Sequence, residues 1–324
     1  MNDFNIAIVG CGNWGMNHIR TSYKLFGNRL RYCCDNFPGS EEKVRGISDK
    51  IKFTTDINEI INDETVRAVI VSTPAETHFD ISKELLLAGK NILVEKPITL
   101  NSDEAKILND IADVNGLILM VGHLLLFHPA ILKIKEYLDE EKLGKLQYIY
   151  SNRLNLGTIR AEENILWSFA PHDISVIQFF IGEVPTDVKA TGAIFVQEDI
   201  QDTTLTILKF NDNIHAHIYV SWLHPFKEQR LVVIGDKSMM VFEDTLKVNK
   251  LKLYKKGFDI INGTPVKRDS DFENIEFDST SPLEMEQQHF IDCITNHKRP
   301  RSDGRNAIEV LETLERAQSE LIKV

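Results

Sequence analysis

The sequence has 324 residues, which is long enough for two domains. Its 48 acidic and 37 basic residues give a net charge of −11, and this balance argues against nucleic acid as a partner. Hydrophobic residues make up 43% of the chain, as in ordinary globular proteins, and no apolar run approaches the ~18 residues of a membrane span. Asp3 does not fit a secretory signal, so we expect a cytoplasmic protein with no membrane partner.

The first predicted strand, Asn5–Val9, leads into a glycine-rich turn and a helix. The turn has the pattern G-x-G-x-x-G, formed by Gly10, Gly12 and Gly15. In dinucleotide-binding folds the first glycine allows a tight turn, the second lets the backbone approach the pyrophosphate, and the third lets the helix pack on the strand. The helix then offers free N–H groups to the phosphates. This arrangement predicts a dinucleotide site.

The second predicted strand, Leu30–Cys34, ends at Asp35, about 20 residues after Gly15. A carboxylate at this distance accepts hydrogen bonds from ribose hydroxyls and repels a 2′-phosphate, and no arginine follows in the next three residues. The sequence therefore predicts NAD rather than NADP. The alternative is that Asp35 only begins the turn before Pro38 and Gly39.

Strands and helices alternate up to about residue 122, which is typical of a doubly wound parallel sheet. Predicted helices begin near Glu41, at Thr77 and after Asn101 or Ser102. We therefore predict an α/β protein in which residues 1–122 form an NAD-binding Rossmann domain. The remaining predicted strands of this domain are Ile51–Phe53, Val66–Val71, Asn91–Val94 and Leu117–Val121.

After residue 122 the pattern changes to long strands with two-residue alternation. Predicted helices lie near Ala130–Leu138 and Asp173–Ile181, and two more, near Leu283–Asn296 and Arg305–Ile322, close the chain. This pattern predicts an α+β domain over residues 123–324, built on a large open, mostly antiparallel sheet that binds substrate and mediates oligomerisation.

The predicted strand Ile214–Trp222 bears on assembly. The helices after Met239 are too few to cover the outer face of an open sheet, so we expect a homo-oligomer, a dimer or a tetramer. Ile218, Val220 and Trp222 are the candidates for the exposed face.

The same strand carries His215 and His217, which share a face and could bind a metal ion. No third ligand lies nearby in sequence, and the four cysteines lack C-x-x-C spacing. We therefore favour a polar stripe, expect reduced thiols and predict no metal site.

Ligands of a doubly wound sheet bind outside the carboxyl ends of its strands. Ser72, Thr73 and Pro74 follow one predicted strand, and Glu95 and Lys96 follow the next. A lysine here can donate hydrogen bonds to a substrate hydroxyl and to ribose, and can lose its proton if the closed site desolvates it. The alternative is a surface lysine paired with Glu95.

The glycine pattern followed by Asn17-His18, together with Glu95-Lys96-Pro97, resembles the Gfo/Idh/MocA oxidoreductases. The resemblance covers essentially the whole chain. It implies a Rossmann domain followed by an open-sheet domain, and NAD-dependent oxidation of an alcohol.

In this family a helix at the start of the second domain carries an aspartate and, four residues later, a histidine. Here His172 matches the histidine, and Ser168 stands where the aspartate would be. The resemblance implies that His172 takes the hydroxyl proton while Lys96 polarises the oxygen. Asp173 could orient His172 in place of the missing aspartate, although it points about 100° away on a helix. The alternative is that His172 caps the helix that begins at Asp173.

The segment 151–167 is unusually polar for a strand-to-helix link and, with His123, looks like family members that act on nucleotide-linked amino sugars. The resemblance implies UDP-N-acetylglucosamine, oxidised at C3 to a 3-keto sugar, and the guanidinium groups of Arg153 and Arg160 suit a diphosphate. Three alternatives stay open. Arg160 could pair with a neighbouring glutamate, the substrate could be a free polyol or sugar such as an inositol, or the chain could be a non-catalytic NAD(H) sensor.

The predicted functional residues form overlapping groups, with Lys96 and His172 as the catalytic pair. The residues expected to contact NAD are Gly10, Gly12, Asn13, Trp14, Gly15, Asp35, Ser72, Thr73, Pro74, His78, Glu95 and Lys96. Those expected to contact the substrate are Lys96, His123, Arg153, Asn155, Arg160, Asn164, Ser168 and His172.

Overall fold

The computed structural model describes residues 4–157 and 159–321. Asp3 and Ile322, which enter the predictions above, lie outside these ranges. Within the described residues, no helix combines the length and the apolar character that a membrane span requires. The predicted α/β class is confirmed, with a parallel first sheet and a mostly antiparallel second sheet.

The described chain divides into two compact units. The first contains the described residues up to Phe127 together with Thr280–Leu311, and the second contains His128–Ser279 together with the described residues from Glu312 onwards. The predicted single boundary at residue 122 differs from this division in two ways. The chain leaves the first unit slightly later, and the segment Thr280–Leu311 returns to that unit before the chain enters the second unit again.

Six parallel strands form the sheet of the first unit. They are β1 (Asn5–Val9), β2 (Leu30–Cys34), β3 (Lys52–Thr54), β4 (Val66–Val71), β5 (Asn91–Val94) and β6 (Leu119–Val121). Their order is β3-β2-β1-β4-β5-β6, so the direction of winding reverses between β1 and β4. Ligands bind at the carboxyl ends of the strands beside such a reversal. Strands β1, β4 and β5 are mostly apolar and buried, as in parallel sheets whose two faces are covered by helices.

Five helices follow these strands in turn. They are α1 (Asn13–Phe26), α2 (Ser40–Arg45), α3 (Asn58–Ile61), α4 (His78–Leu87) and α5 (Ser102–Asn115). The ends of α5 show why the sequence folds this way locally. The Asn101 side chain accepts a hydrogen bond from the backbone N–H of Glu104, and Gly116 adopts a left-handed conformation at the other end.

Eight strands form the main sheet of the second unit, and two more form a separate hairpin. In chain order they are β7 (Leu146–Leu156), β8 (Asp187–Ala193), β9 (Thr203–Lys209), β10 (His215–Ser221), β11 (Leu223–Gly235), β12 (Met239–Glu243), β13 (Leu251–Tyr254), β14 (Gly257–Ile261), β15 (Thr264–Arg268) and β16 (Phe272–Asn274). The main sheet has the order β16-β13-β12-β11-β7-β10-β9-β8, and β14 pairs with β15. Within the main sheet, β7 and β10 run parallel and the other neighbouring strands run antiparallel.

The remaining helices are α6 (Pro129–Asp139), α7 (Ile165–Ile181), α8 (Pro282–Asn296) and α9 (Gly304–Leu321). Helix α7 packs against β7, β9 and β10. It begins at Asn164, whose side chain accepts a hydrogen bond from the backbone N–H of Trp167 at 3.2 Å. The prediction that this helix begins near Asp173 is therefore wrong. Proline usually stands near a helix start, whereas Pro171 lies inside α7.

The face of β10 predicted to be exposed is buried. Ile218, Val220 and Trp222 are at most 1% exposed, because their side of the strand faces α7. The opposite face carries His217, whose ring stacks on that of Tyr150 with centroids 5.2 Å apart. The alternation of the strand was predicted correctly, but the covered side was assigned wrongly.

Candidate active site

The three glycines of the first turn have different surroundings, and Gly10 and Gly15 leave no room for a side chain. Gly10 has φ of +97°, and a Cβ there would lie 2.6 Å from the backbone oxygen of Ser72. A Cβ at Gly15 would lie 2.0 Å from the Gly10 oxygen, so α1 could not approach β1 with any side chain here. At Gly12, apart from the neighbouring backbone, no atom of the described residues lies within 4 Å of a built Cβ, so the approach to this turn is open for a pyrophosphate.

Asp35 lies beside this turn at the end of β2. One carboxylate oxygen accepts the backbone N–H of Cys11 at 2.6 Å, and the other accepts that of Phe37 at 2.8 Å. The bond from Phe37 is local and forms the turn that we gave as the alternative role of Asp35. The first ties the carboxylate to the glycine-rich turn, so both interpretations of Asp35 describe part of its environment.

The residues after β4 are held by backbone contacts. The hydroxyl of Ser72 donates to the carbonyl of Gly10 at 3.0 Å. His78 is 1% exposed, and its two ring nitrogens each lie 2.8 Å from a backbone oxygen, of Thr73 and of Pro97. No ring nitrogen of His78 is left for a ligand, so His78 fixes the loops after β4 and β5 against each other. The other predicted cofactor residues at this edge are Asn13 and Trp14 at the start of α1, and Pro74 after Thr73.

Glu95, directly after β5, is the centre of a hydrogen-bond network. Its Oε1 accepts from the indole Nε1 of Trp14 at 2.6 Å and from Nε2 of His18 at 2.8 Å. Its Oε2 accepts the backbone N–H of Lys96 at 3.2 Å. Burial would raise the pKa of Glu95, but the bond from His18 and the charges nearby outweigh it and hold the pKa below its ordinary value. Glu95 is therefore an anion bound on several sides, not simply the surface partner of Lys96.

Two buried side chains near Glu95 have no hydrogen-bond partner among the described residues. They are His123, which follows β6, and Glu286 on α8. The unpartnered atoms are both ring nitrogens of His123 and both carboxyl oxygens of Glu286. Burial lowers the pKa of His123 to about 4, against the opposing charge of Glu95, so this ring is neutral near pH 7. A Cβ at Gly122 would lie 2.9 Å from the Glu95 carboxyl, so a side chain at this position would displace that carboxyl.

In the second unit, Ser168 and His172 lie one turn apart on α7 and share a face. His172 is inside the helix, so the prediction that it caps a helix is wrong. Asp173 does not orient His172 either. Its oxygens accept from the guanidinium of Arg153 at 2.8 and 3.0 Å and from the hydroxyl of Ser151 at 2.6 Å.

This pair also changes the interpretation of the polar segment, because the guanidinium of Arg153 is bound inside the unit and is mostly buried. The Asn164 amide donates to Gln201 and to Gln318, so Asn164 has a structural role at the start of α7. Arg160 pairs with Glu163 at 2.9 Å, as the alternative proposed, but 56% of its side chain is exposed. Asn155 lies in β7 and is half-buried.

The sequence did not lead us to predict a functional role for His18, Glu286 or Gln287. His18 follows the glycine pattern closely, and its position in that motif was a usable signal. Glu286 and Gln287 lie on α8, far along the chain, and nothing in their local sequence marks them.

Two family models match the chain. The first, described as "Oxidoreductase family, NAD-binding Rossmann fold", matches residues 4–123. The second, described as "GFO/IDH/MocA C-terminal domain", matches residues 131–241. Together they cover more than half of the sequence.

Individual proteins are similar as well. The scyllo-inositol 2-dehydrogenase (NAD(+)) of Bacillus subtilis (strain 168) is 29% identical over 310 residues, covering 91% of this chain and 87% of that protein. The UDP-N-acetylglucosamine 3-dehydrogenase of Acidithiobacillus ferrooxidans is 28% identical over 242 residues, covering 74% of each. The solved structure of UDP-N-acetylglucosamine 3-dehydrogenase GnnA from Acidithiobacillus ferrooxidans has a TM-score of 0.84 at 24% identity, covers 98% of this chain and 97% of its own, and shares the fold.

Proposed function

The chain belongs to the GFO/IDH/MocA oxidoreductase family and is an NAD-dependent dehydrogenase; on that basis we propose that it oxidises a ring hydroxyl of a nucleotide-linked amino sugar. UDP-N-acetylglucosamine, oxidised at C3 to a 3-keto sugar, is the substrate we propose first. The observation that carries the chemistry is Lys96, placed at the carboxyl end of β5 beside the bound carboxylate of Glu95.

The first unit has the donor set that NAD needs. Open space at Gly12, the free N–H groups at the start of α1 and the carboxylate of Asp35 suit a pyrophosphate and an unphosphorylated ribose. NAD, when bound, accepts a hydride from the carbon of the substrate hydroxyl. We assign NAD binding to the first unit.

The hydroxyl loses a proton as its carbon loses the hydride, and protein side chains handle that proton. In our proposal His172 takes the proton as general base, and Lys96 donates a hydrogen bond to the same oxygen. Ser168 stands on α7 one turn before His172, at the position where the family has an aspartate.

Support for a nucleotide-linked substrate comes from two sources. One is the similarity to UDP-N-acetylglucosamine 3-dehydrogenase over most of the chain. The other is the exposed guanidinium of Arg160, which can exchange Glu163 for a diphosphate because an exposed ion pair contributes little.

A free cyclitol, such as an inositol, is the second candidate. The internal ion pair between Arg153 and Asp173 favours it, since a guanidinium already bound bidentately is a poor phosphate ligand. The similarity to scyllo-inositol 2-dehydrogenase over 91% of the chain points the same way.

Thermal stabilisation of the NAD-loaded protein distinguishes the two candidates without turnover. A ligand that binds only the folded state at 100 times its Kd stabilises that state by about 2.7 kcal/mol. We expect UDP-N-acetylglucosamine and UDP to raise the melting temperature, whereas scyllo-inositol and myo-inositol should not. Stabilisation by an inositol alone would replace the first candidate with the second.

A further inference from the structure

Buried side chains from α1 and α8 form a hydrogen-bond chain that leads to Glu95. This chain determines which ring nitrogen of His18 carries the proton. Gln287 accepts from the hydroxyl of Ser22 at 2.8 Å and donates from Nε2 to the backbone oxygen of His18 at 3.2 Å. The same Nε2 lies 3.0 Å from Nδ1 of His18. Because the amide nitrogen faces a carbonyl oxygen, Nδ1 must accept, and the ring proton is assigned to Nε2, which donates to Glu95.

Two carboxyl groups meet here in opposite environments. Glu95 accepts N–H bonds from Trp14, His18 and the backbone of Lys96. Glu286 is fully buried, and neither of its oxygens receives a hydrogen bond from the described residues. Burial, with the charge of Glu95 added, raises the pKa of Glu286 well above its ordinary value of 4.5. Because the two pKa values are shifted in opposite directions, Glu95 carries the negative charge and Glu286 keeps its proton.

Ligand-type atoms of His18, Glu95 and Glu286 lie within 4.8 Å of one another, so either a metal ion or a proton could sit among them. A metal ion would need the lone pair of His18 Nε2. That nitrogen carries the ring proton, because Nδ1 already accepts from Gln287. A proton on Glu286 that faces Glu95 requires no change in the network.

We propose that Glu286 is a positioning residue, a neutral carboxylic acid close to the Glu95 carboxylate, so that these two carboxyl groups together carry one negative charge rather than two next to Lys96. A second charge at this place would stabilise the protonated form of Lys96 and hinder its exchange of protons with substrate. The inference depends on the proposed function only where it gives Lys96 a catalytic role. The titratable and charged groups around α8 are His18, Lys24, Glu95, Lys96, His123, Glu284, His289 and Arg301.

The pH dependence of thermal unfolding tests this proposal without a substrate. A folded-state pKa above 4.5 means that the native protein keeps a proton that the unfolded chain releases, so the wild type loses stability as pH rises beyond about 4.5. Glu286→Gln removes this dependence. Measured between pH 5 and 9, its melting temperature relative to that of the wild type should therefore be higher at the alkaline end than at the acid end.

Glu284→Gln is the matched control, because it removes a carboxyl from the same helix that pairs with Lys24 instead. Its difference from the wild type should stay constant over that pH range. A constant difference for Glu286→Gln as well would show an ordinary ionised Glu286 and overturn the proposal. This measurement stands even if no alcohol is oxidised, so failure of the proposed function would be seen separately.

Two further readouts address the link to Lys96. Glu95→Gln should move the acid midpoint of the pH profile of kcat/KM to lower pH, because Lys96 loses its neighbouring anion. Glu286→Gln should leave that midpoint in place, because it exchanges one neutral group for another. An equal shift in both variants would contradict the proposal. So would one equivalent of divalent metal in the purified wild type that is lost in Glu286→Gln.

Discussion

At the scale of single residues, the proposed mechanism depends on Lys96 and His172. Lys96→Ala and His172→Ala should each lower kcat by ~10²-fold or more, because a general acid–base group contributes in the transition state. NAD affinity, measured by calorimetry, should be retained in both. Val114→Ala, at an 86% exposed site on α5, is the control and should keep wild-type kcat. Near-normal turnover by His172→Ala would remove it from the mechanism.

Substitution of Asp35 tests why the protein should prefer NAD to NADP. Asp35→Ser combined with Asn36→Arg should weaken NAD binding and strengthen NADP binding, because a cation replaces the anion that repels a 2′-phosphate. Asp35 also accepts the backbone N–H of Cys11, so part of the loss of NAD affinity will come from a looser turn. Asp35→Asn keeps an acceptor for that N–H and isolates the charge. Equal affinity of the wild type for NAD and NADP would contradict the assignment.

At the scale of elements, the ion pair between Arg153 on β7 and Asp173 on α7 joins the strand to the helix that carries His172. Asp173→Ala leaves a buried guanidinium without its partner, so we expect the free energy of unfolding to fall by about 3 kcal/mol or more in urea denaturation. Arg160→Ala, which breaks an exposed pair, should cost less than about 1 kcal/mol. A small effect of Asp173→Ala would mean that Arg153 is free to bind a ligand.

The elements that could be predicted from sequence are those specified by neighbouring residues. The glycine turn, the strand that ends at Asp35 and the cap of α5 at Asn101 all depend on short-range patterns. The start of α7 could not be predicted, because Pro171 inside a helix contradicts the usual local rule. Nor could the covered face of β10, since alternation gives two faces and only tertiary packing decides which one α7 covers.

The candidate site, too, could be predicted only where neighbouring residues in the sequence specify it. Lys96 could be placed at a strand end from sequence, but the network around Glu95 joins α1, β5 and α8 across most of the chain. Arg153 was predicted to bind phosphate from its residue type, and its partner Asp173 is contributed by a different element. Residue type therefore indicated which chemistry is available, whereas long-range contacts decided which groups are already occupied.

At the scale of the whole molecule, we expect a homo-oligomer that uses the outer face of the second sheet. Ile207, His217 and Tyr150 lie side by side on β9, β10 and β7, and Ile207 is 46% exposed. A cavity of about 690 Å³ on this face is lined by Tyr148, Leu205, Ile207, His215 and His217, among others. A second copy would cover this apolar surface.

Light scattering at micromolar concentration should give the mass of a dimer or a tetramer. Ile207→Asp should shift it toward the monomer, because a charge would be buried in the interface. Val114→Asp, at an 86% exposed site on α5, is the control and should leave the mass unchanged. A monomeric wild type would contradict the expected assembly.

We propose above all that this chain uses NAD to oxidise a ring hydroxyl of a nucleotide-linked amino sugar. The most direct test is the absorbance of NADH formed from NAD with UDP-N-acetylglucosamine, its uronate, or scyllo- and myo-inositol as substrate. An aminotransferase and its amino donor should be added to remove the keto product. We predict NADH with a UDP-sugar, and about 10²-fold less with Lys96→Ala. Turnover of an inositol and of no UDP-sugar would contradict the substrate, and tight NADH binding with no turnover of any sugar would contradict catalysis itself.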